Sequence, residues 1–364
     1  YSSSRCSSRT SRTARSTHAS KRVIPVKPTE SDTEFSFETS RSDIEVTWKQ
    51  RLGDFYREFI YKPGLVAWSD NRTRLGALLM LVYVLMGTVG VVYYRAPTSN
   101  QSPRGVQPFQ TTEALLGTTG SGIDILAMII HATPPMLIMV LSGGLFATTL
   151  AVTFGTVAGY KGGVTDRALT TFADIAMSIP GLPLIMVLAI VFSPTNPAII
   201  GILLTINYWA GLARAIRSQI LTLREESYVE ASRTLGVSTW RILVKDIIPN
   251  IMPYVLVNFA NAARFVVFTS VGLYYLGILP TSVANWGVQL DQAYRNAGAL
   301  TGAGTLYQLV FPMLAIMLIA LALILLAQGM DRVFNPRVRT RLAGESRSTD
   351  GDDTEAVSTT EVLN

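Results

Sequence analysis

The charged residues best placed to do chemistry are concentrated in residues 221–250, between two long hydrophobic runs. Acids come first and bases last, the order that two short helices favour because of their dipoles. Gly236 lies between them, where a helix would end and the chain would turn. Ser238 is placed to cap a second helix. The stretch therefore predicts a rigid helix–turn–helix hairpin, able to transmit a push. The alternative is an ordinary amphipathic loop. The charged residues are Glu225, Glu226, Glu230, Arg233, Arg241 and Lys245.

Motifs for catalysis or cofactor binding are missing from the sequence. It contains no GxxxxGK[ST] phosphate loop, no serine elbow and no Cys/His pair. Cys6 stands alone, and the only histidines are His18 and His131, so neither a disulfide nor a zinc site is predicted. The sequence therefore predicts a non-catalytic chain without a cofactor or metal, driven by a partner.

Composition indicates an integral membrane protein. The chain is 49% hydrophobic and 15% charged, whereas soluble domains have about 25% charged residues. The apolar residues are grouped in runs, which favours an all-α polytopic membrane protein in contact with the lipid bilayer. A net charge of +6 would suit nucleic acid, but the excess Lys and Arg lies in tails and beside apolar runs. Membrane orientation explains it better, and no nucleic-acid partner is predicted.

Six runs are long enough to cross a bilayer. The third contains Asp174 and is interrupted by Pro180 and Pro183, and the fifth contains Asn258, Asn261 and Arg264. Lys and Arg are most frequent in alternate loops, so the positive-inside rule places both termini and residues 221–250 in the cytoplasm. The runs are 75–94, 136–160, 168–192, 197–213, 247–276 and 306–327.

The flanking regions have a different character. Residues 1–45 are rich in Ser, Thr and Arg and are predicted to be a disordered tail, with an organelle transit peptide as the alternative. Residues 46–73 predict an amphipathic interfacial helix and linker; a helix packed on a soluble partner is the alternative. Residues 74–339 form the predicted transmembrane domain, and 340–364 a disordered acidic tail.

Several motifs resemble one transporter family, the permease subunits of binding-protein-dependent ABC importers, and within it the dipeptide/oligopeptide (nickel) branch. The loop before the penultimate span in that family carries a Glu-Ala-Ala triplet, a glycine four residues later, an Ile and a Leu-Pro. Two departures are Ser232, where the family has Ala, and Asp246, where a basic residue or His is usual. The matching residues are Glu230-Ala231-Ser232, Gly236, Ile242, Ile248-Pro249-Asn250, Leu116-Gly117-Thr118, Ala158-Gly159-Tyr160, Asp174-Ile175, Trp286-Gly287 and Asn335-Pro336-Arg337.

The resemblance implies a fold and a set of partners. The fold would be the six-helix importer permease (MetI-like) fold in the cell membrane. The partners would be a second, related permease subunit, two cytoplasmic ATPase subunits and an extracellular solute-binding protein. The chain would form half of the pathway for a di- or oligopeptide, with nickel or an oligosaccharide as alternative cargo. The ATPase-coupling residues would be Glu230, Ala231, Ser232, Arg233, Gly236 and Arg241.

Arg264 is unusual for its position, since the resembled family has a small residue there. A guanidinium facing lipid at depth costs at least about 2.5–3.5 kcal/mol on insertion scales. Three interpretations stay open: Arg264 snorkels to the outer surface, pairs with the partner permease, or lines the pathway. Asn261 and Asn258 precede it by three and six residues. Asn261 shares its helix face, so a polar stripe is plausible.

A rival class is a secondary transporter or channel without ATPase partners. Such a protein needs ionisable residues within the membrane to relay a proton or ion. Asp174 and Arg264 are the clear candidates for such a relay in this sequence. Copurification of ATPase chains in detergent would separate the two classes.

The predicted topology can be tested by cysteine labelling. We expect cysteines at Asn100 and Ser282 to react with an impermeant maleimide on intact cells. Cysteines at Ser238 and Ser346 should react only after permeabilisation, because their loop and tail are predicted to be cytoplasmic. Labelling of Ser238 from outside would exclude a coupling role for residues 221–250.

Overall fold

The structure is a computed structural model that describes residues 70–296 and 304–334. Three predicted regions lie wholly or mostly outside these ranges: the tail 1–45, the interfacial helix 46–73 and the acidic tail 340–364. Within these ranges, every continuous secondary-structure element is a helix, as the all-α prediction requires. The helices are α1 Asn71–Tyr93, α2 Ile125–Lys161, α3 Gly163–Ser178, α4 Gly181–Phe192, α5 Pro197–Leu204, α6 Tyr208–Leu223, α7 Ser227–Thr234, α8 Thr239–Tyr275, α9 Trp286–Asn296 and α10 Tyr307–Phe334.

Four of these helices, α1, α2, α8 and α10, are individually long and apolar enough to cross a membrane. The other two crossings are bent pairs: α3 and α4 meet at 78°, and α5 and α6 at 57°. The first bend occurs where Ile179 adopts an extended conformation before Pro180, as expected for a residue that precedes proline. The described residues therefore contain up to six spans, and two of them are broken.

The fourth predicted run, 197–213, is wrong at its end. The chain bends at residues 205–207 and then stays helical to Leu223. The predicted run stops at Ala213 because the next residues include the charged Arg214 and Arg217. Both arginines lie on α6 and pair with carboxylates of α3, Asp174 and Asp166 respectively. A charged residue that pairs with an opposite charge on a neighbouring helix can lie within a membrane helix, so the helix continues past it.

One apolar core joins the ends of the spans farthest from residues 224–238. It combines the first half of α2 with α5, the second half of α8, α9 and α10. Trp286 is fully buried in it; its indole nitrogen donates to the Ile129 carbonyl at 3.2 Å, and its ring meets Tyr83 edge-on at 5.8 Å. Trp286 and Gly287, which match a motif of the resembled family, thus begin a helix packed into the bundle.

A second apolar core joins the opposite ends of the spans. It includes Ile216 and Ile220 of α6 and Ile247 of α8, all fully buried. Glycines bring α2 and α6 together: a Cβ added at Gly155 would lie 2.5 Å from the Ala213 carbonyl oxygen, and one at Gly159 would lie 2.8 Å from the Cβ of Ile220. The two backbones therefore approach as closely as small residues allow, as is common between membrane helices.

A glycine substitution tests the packing of α5 on α2. A Cβ at Gly201 would lie 2.3 Å from the Met139 carbonyl oxygen, which is backbone and cannot move aside. We expect Gly201→Ala to destabilise the protein by about 1–3 kcal/mol, the usual cost of overpacking. The control is Gly272→Ala in α8, where a Cβ meets nothing within 4 Å. Thermal unfolding in detergent should show a lower midpoint for Gly201→Ala only, and equal midpoints would contradict this packing.

Candidate functional site

The predicted hairpin is present, with one difference. α7 ends at Thr234, and Gly236 turns the chain with φ of +71°. Its N–H bonds to the Arg233 carbonyl at 3.0 Å. Ser238 takes the N-cap position, although its side chain makes no capping bond. The second helix is not separate, because it runs through a π-helical turn at Leu243–Ile247 into the span α8. The hairpin is therefore residues 224–238, shorter than 221–250, since both neighbouring spans extend into that stretch.

The hairpin is attached firmly to the spans. Val229 of α7 is fully buried in the same apolar core as Ile220 of α6 and Ile247 of α8. Because Val229 belongs to the same close-packed cluster as residues of both spans, we expect a displacement of α7 to displace α6 and α8 as well.

Polar contacts add to this attachment. The Asn250 amide donates to the Tyr228 hydroxyl at 3.1 Å and to the Asp246 carbonyl at 2.6 Å. The Ser232 hydroxyl donates to the Asp246 carboxylate at 3.4 Å. Burial, followed by the Glu226 and Asp246 carboxylates, raises the pKa of Tyr228, so its hydroxyl stays protonated at neutral pH. Ser232 and Asp246, the two departures from the resembled motif, are thus partners of each other.

The tip of the hairpin and the adjoining first turn of α8 present an exposed mixed surface, called the hairpin tip below. Leu235 is 81% exposed and Trp240 is 74% exposed. Around them Glu230, Ala231, Arg233 and Arg241 are also exposed. None of the three charged groups forms an ion pair within residues 70–296 and 304–334. Glu230 in particular pairs with neither Arg233 nor Arg224 in the described residues. Arg224 instead donates to the Gly159 carbonyl at 3.1 Å.

Sequence reasoning missed Leu235 and Trp240. Their positions in the sequence could have identified them. Leu235 directly precedes the turn at Gly236 and Trp240 follows it closely, and large apolar side chains at a turn have little to pack against.

Polar contacts also join α3 to α6 along their whole length. The Arg217 guanidinium bonds to both carboxylate oxygens of Asp166, with 2.6 Å from Nη2 to Oδ2. Farther from the hairpin, Arg214 pairs with Asp174. At the bends, the Asn207 amide donates to the Ile179 carbonyl at 2.9 Å. The two helix breaks therefore lie side by side, and Asn207 bonds to a carbonyl that the first break leaves free.

The structure places the three predicted polar residues of α8 near these breaks. Asn258 is satisfied on its own helix, donating to the Tyr254 carbonyl at 2.8 Å. Arg264 and Asn261 are partly buried and make no hydrogen bond or ion pair within the described ranges. The next residue, Phe265, packs against Tyr208, the first residue of α6, with the ring centroids 5.1 Å apart. This part of α8 therefore lies beside the α5–α6 bend.

These features define a class: a polytopic helical membrane subunit without a metal cluster in its described residues, with a polar hairpin rigidly attached to two of its spans. The family described as "Binding-protein-dependent transport system inner membrane component" matches residues 151–340, more than half of the chain. The chain belongs to this family, as the resemblance predicted.

Curated relatives are named as peptide transport permeases. The oligopeptide transport system permease protein OppC of Bacillus subtilis is 29% identical over 239 residues, 63% of this chain and 78% of that protein. The dipeptide transport system permease protein DppC of the same organism is 27% identical over 273 residues, 74% and 84% of the two chains. The glutathione transport system permease protein GsiD of Pectobacterium atrosepticum is 25% identical over 299 residues, 82% and 93%.

The turn at Gly236 gives a direct test of hairpin geometry. A Cβ there meets nothing within 4 Å, so only the left-handed backbone opposes a side chain. We expect Gly236→Val to cost about 1–2 kcal/mol and to loosen the hairpin. Gly236→Asn, which tolerates this conformation, is the control. Trypsin added to inside-out vesicles should cleave after Arg233 faster in the Val variant than in wild type or the Asn variant. Equal cleavage in all three would place the turn elsewhere.

Proposed function

We propose that this chain is the permease subunit of an ATP-driven importer and forms half of the translocation pathway for di- or oligopeptides. A second, related permease would form the other half. Two cytoplasmic ATPase subunits would supply the energy, and an extracellular solute-binding protein would deliver the cargo. The family membership supports the transport role, and the names of the relatives support peptides as the cargo.

One observation carries this proposal: the hairpin 224–238 is attached to the spans on one side and exposes unpaired groups on the other. Large apolar and aromatic residues at the centre of an interface often contribute most of its binding energy. Leu235 and Trp240 would enter a pocket of an ATPase subunit. Glu230, Arg233 and Arg241 would surround that contact and fix its orientation.

Closure of the ATPases on ATP would then move the hairpin, and Val229 would transmit the movement to α6 and α8. The spans would tilt from an inward-open to an outward-open arrangement, which admits the cargo from the binding protein. In this proposal the chain is not itself catalytic, and ATP hydrolysis takes place in the partner subunits. The hairpin and both termini would be cytoplasmic in the cell membrane.

Arg264 fits a contact with cargo or with the second permease better than a snorkelling role, since it lies beside a helix bend rather than at a helix end. Asn261 shares its face. We expect Arg264→Gln to leave the assembled complex and its basal ATPase activity intact while uptake of acidic peptides falls. Loss of assembly would assign Arg264 to the permease interface instead. Unchanged assembly and unchanged uptake would assign it no role.

Truncation of the hairpin tip tests the coupling role. We expect the double variant Leu235→Ala and Trp240→Ala to lose most ATPase copurification and ATP-driven uptake, because hot-spot truncations typically cost about 2 kcal/mol or more each. The control is Phe109→Ala, which removes an equally exposed aromatic (76%) from the segment between α1 and α2. Full copurification and uptake in the double variant would contradict the proposal.

A further inference from the structure

The paired helices α3 and α6 expose a continuous polar strip. On α3 the exposed residues Arg167, Thr171, Asp174 and Ser178 recur at the three- and four-residue spacing of one helix face. On α6 the exposed residues Arg214 and Ser218 continue the line that starts at Asn207. We call these seven residues the polar strip. It runs from the helix breaks towards the hairpin end of both helices.

The strip belongs to the two bent helix pairs that are together long and apolar enough to cross a membrane. At about 1.5 Å per residue, Asp174 is about 16 Å along α3 from Gly163, and Arg214 is about 14 Å along α6 from Leu223. In spans that cross a hydrocarbon core about 30 Å thick, these distances place the Asp174–Arg214 pair within the crossing segments. Its two side chains are nevertheless 48% and 49% exposed. Charged groups at this depth face water or protein rather than lipid, so the strip faces an aqueous path or the second permease.

The two ion pairs between α3 and α6 differ in a way that separates their roles. Asp166 and Arg217 are 16% and 28% exposed and share two hydrogen bonds, while Thr170 donates to the same carboxylate. This arrangement occupies both groups and fixes the helices together. Asp174 and Arg214 make a single bond to each other and are about half open. A ligand can reach this second pair without breaking the first.

We propose that Asp174 and Arg214 are contact residues for the charged ends of the transported peptide, Asp174 for its ammonium group and Arg214 for its carboxylate. This inference rests on the proposed importer function. A zwitterion can enter between the two side chains while every charge keeps an opposite partner. A peptide with a blocked end leaves one of the two side chains without its charge-assisted hydrogen bond, the stronger kind of hydrogen bond. Asp174 and Arg214 therefore select cargo with two free ends.

The test uses the complete complex, with binding protein, in lipid vesicles, and three cargoes: trialanine, N-acetyl-trialanine and trialanine amide. Each variant's uptake is divided by that of wild type for the same cargo, which cancels selection by the binding protein. We expect Asp174→Asn to reduce uptake of the two cargoes with a free amino end about tenfold, and uptake of the acetylated one little. Arg214→Gln should reduce uptake of the two cargoes with a free carboxylate, and of the amide little.

The exchanged variant, Asp174→Arg with Arg214→Asp, separates a purely structural pair from a cargo contact. We expect it to assemble like wild type, because the pair is restored, but to transport trialanine poorly, because each end then meets its own sign of charge. Three outcomes would each overturn the inference. The exchanged variant could transport trialanine like wild type, it could fail to assemble, or the single variants could lose uptake of all three cargoes equally. Absence of ATP-dependent uptake in wild type would instead refute the proposed function itself.

Discussion

The structure depends on one constraint: a polar group inside a membrane must have a partner or face water. Two of the spans are broken, at residues 179–180 and 205–207, and each break exposes backbone groups that an unbroken helix would satisfy. The breaks lie beside each other, and Asn207 bonds to the Ile179 carbonyl. On the hairpin side of the breaks, acids of α3 meet arginines of α6. The broken spans are stable as a pair because each supplies hydrogen-bond or ion-pair partners for polar groups of the other.

This pairing also connects the membrane path to the hairpin. α6 carries one side of the polar strip and ends at Leu223, one residue before the hairpin begins. Gly155 and Gly159 hold α6 closely against α2, and Val229 buries the hairpin against α6 and α8. Tightly packed helices cannot deform continuously, so a displacement at the hairpin reaches the polar strip as a movement of whole helices. Coupling and cargo contact thus depend on the same few interfaces.

Sequence alone predicted the features that depend on local chemistry. Each apolar run falls on one of the four candidate spans or the two bent helix pairs. Proline marked the first break, and Gly236 occupies the left-handed turn at which it was expected. Errors arose where a distant partner decides the outcome. The charges of Arg214 and Arg217 suggested the end of a span. Their carboxylate partners lie 40 and 51 residues earlier, so the sequence did not indicate that these charges are paired. The packing of Trp286 against Tyr83 and Ile129 is likewise not visible in the sequence. No periodicity indicated which faces of α3 and α6 meet.

The central claim is that the polar strip faces water inside the membrane while the apolar faces of neighbouring helices face lipid. Spin labels at Thr171 and Ser218, compared with one at Val187 of α4, which is 58% exposed, test this in the assembled complex in lipid nanodiscs. Power saturation measures collision with a water-soluble nickel chelate and with oxygen, which concentrates in lipid. We expect the two strip positions to relax with the nickel chelate and Val187 to relax with oxygen. Oxygen-dominated relaxation at Thr171 and Ser218 would instead place the strip against lipid.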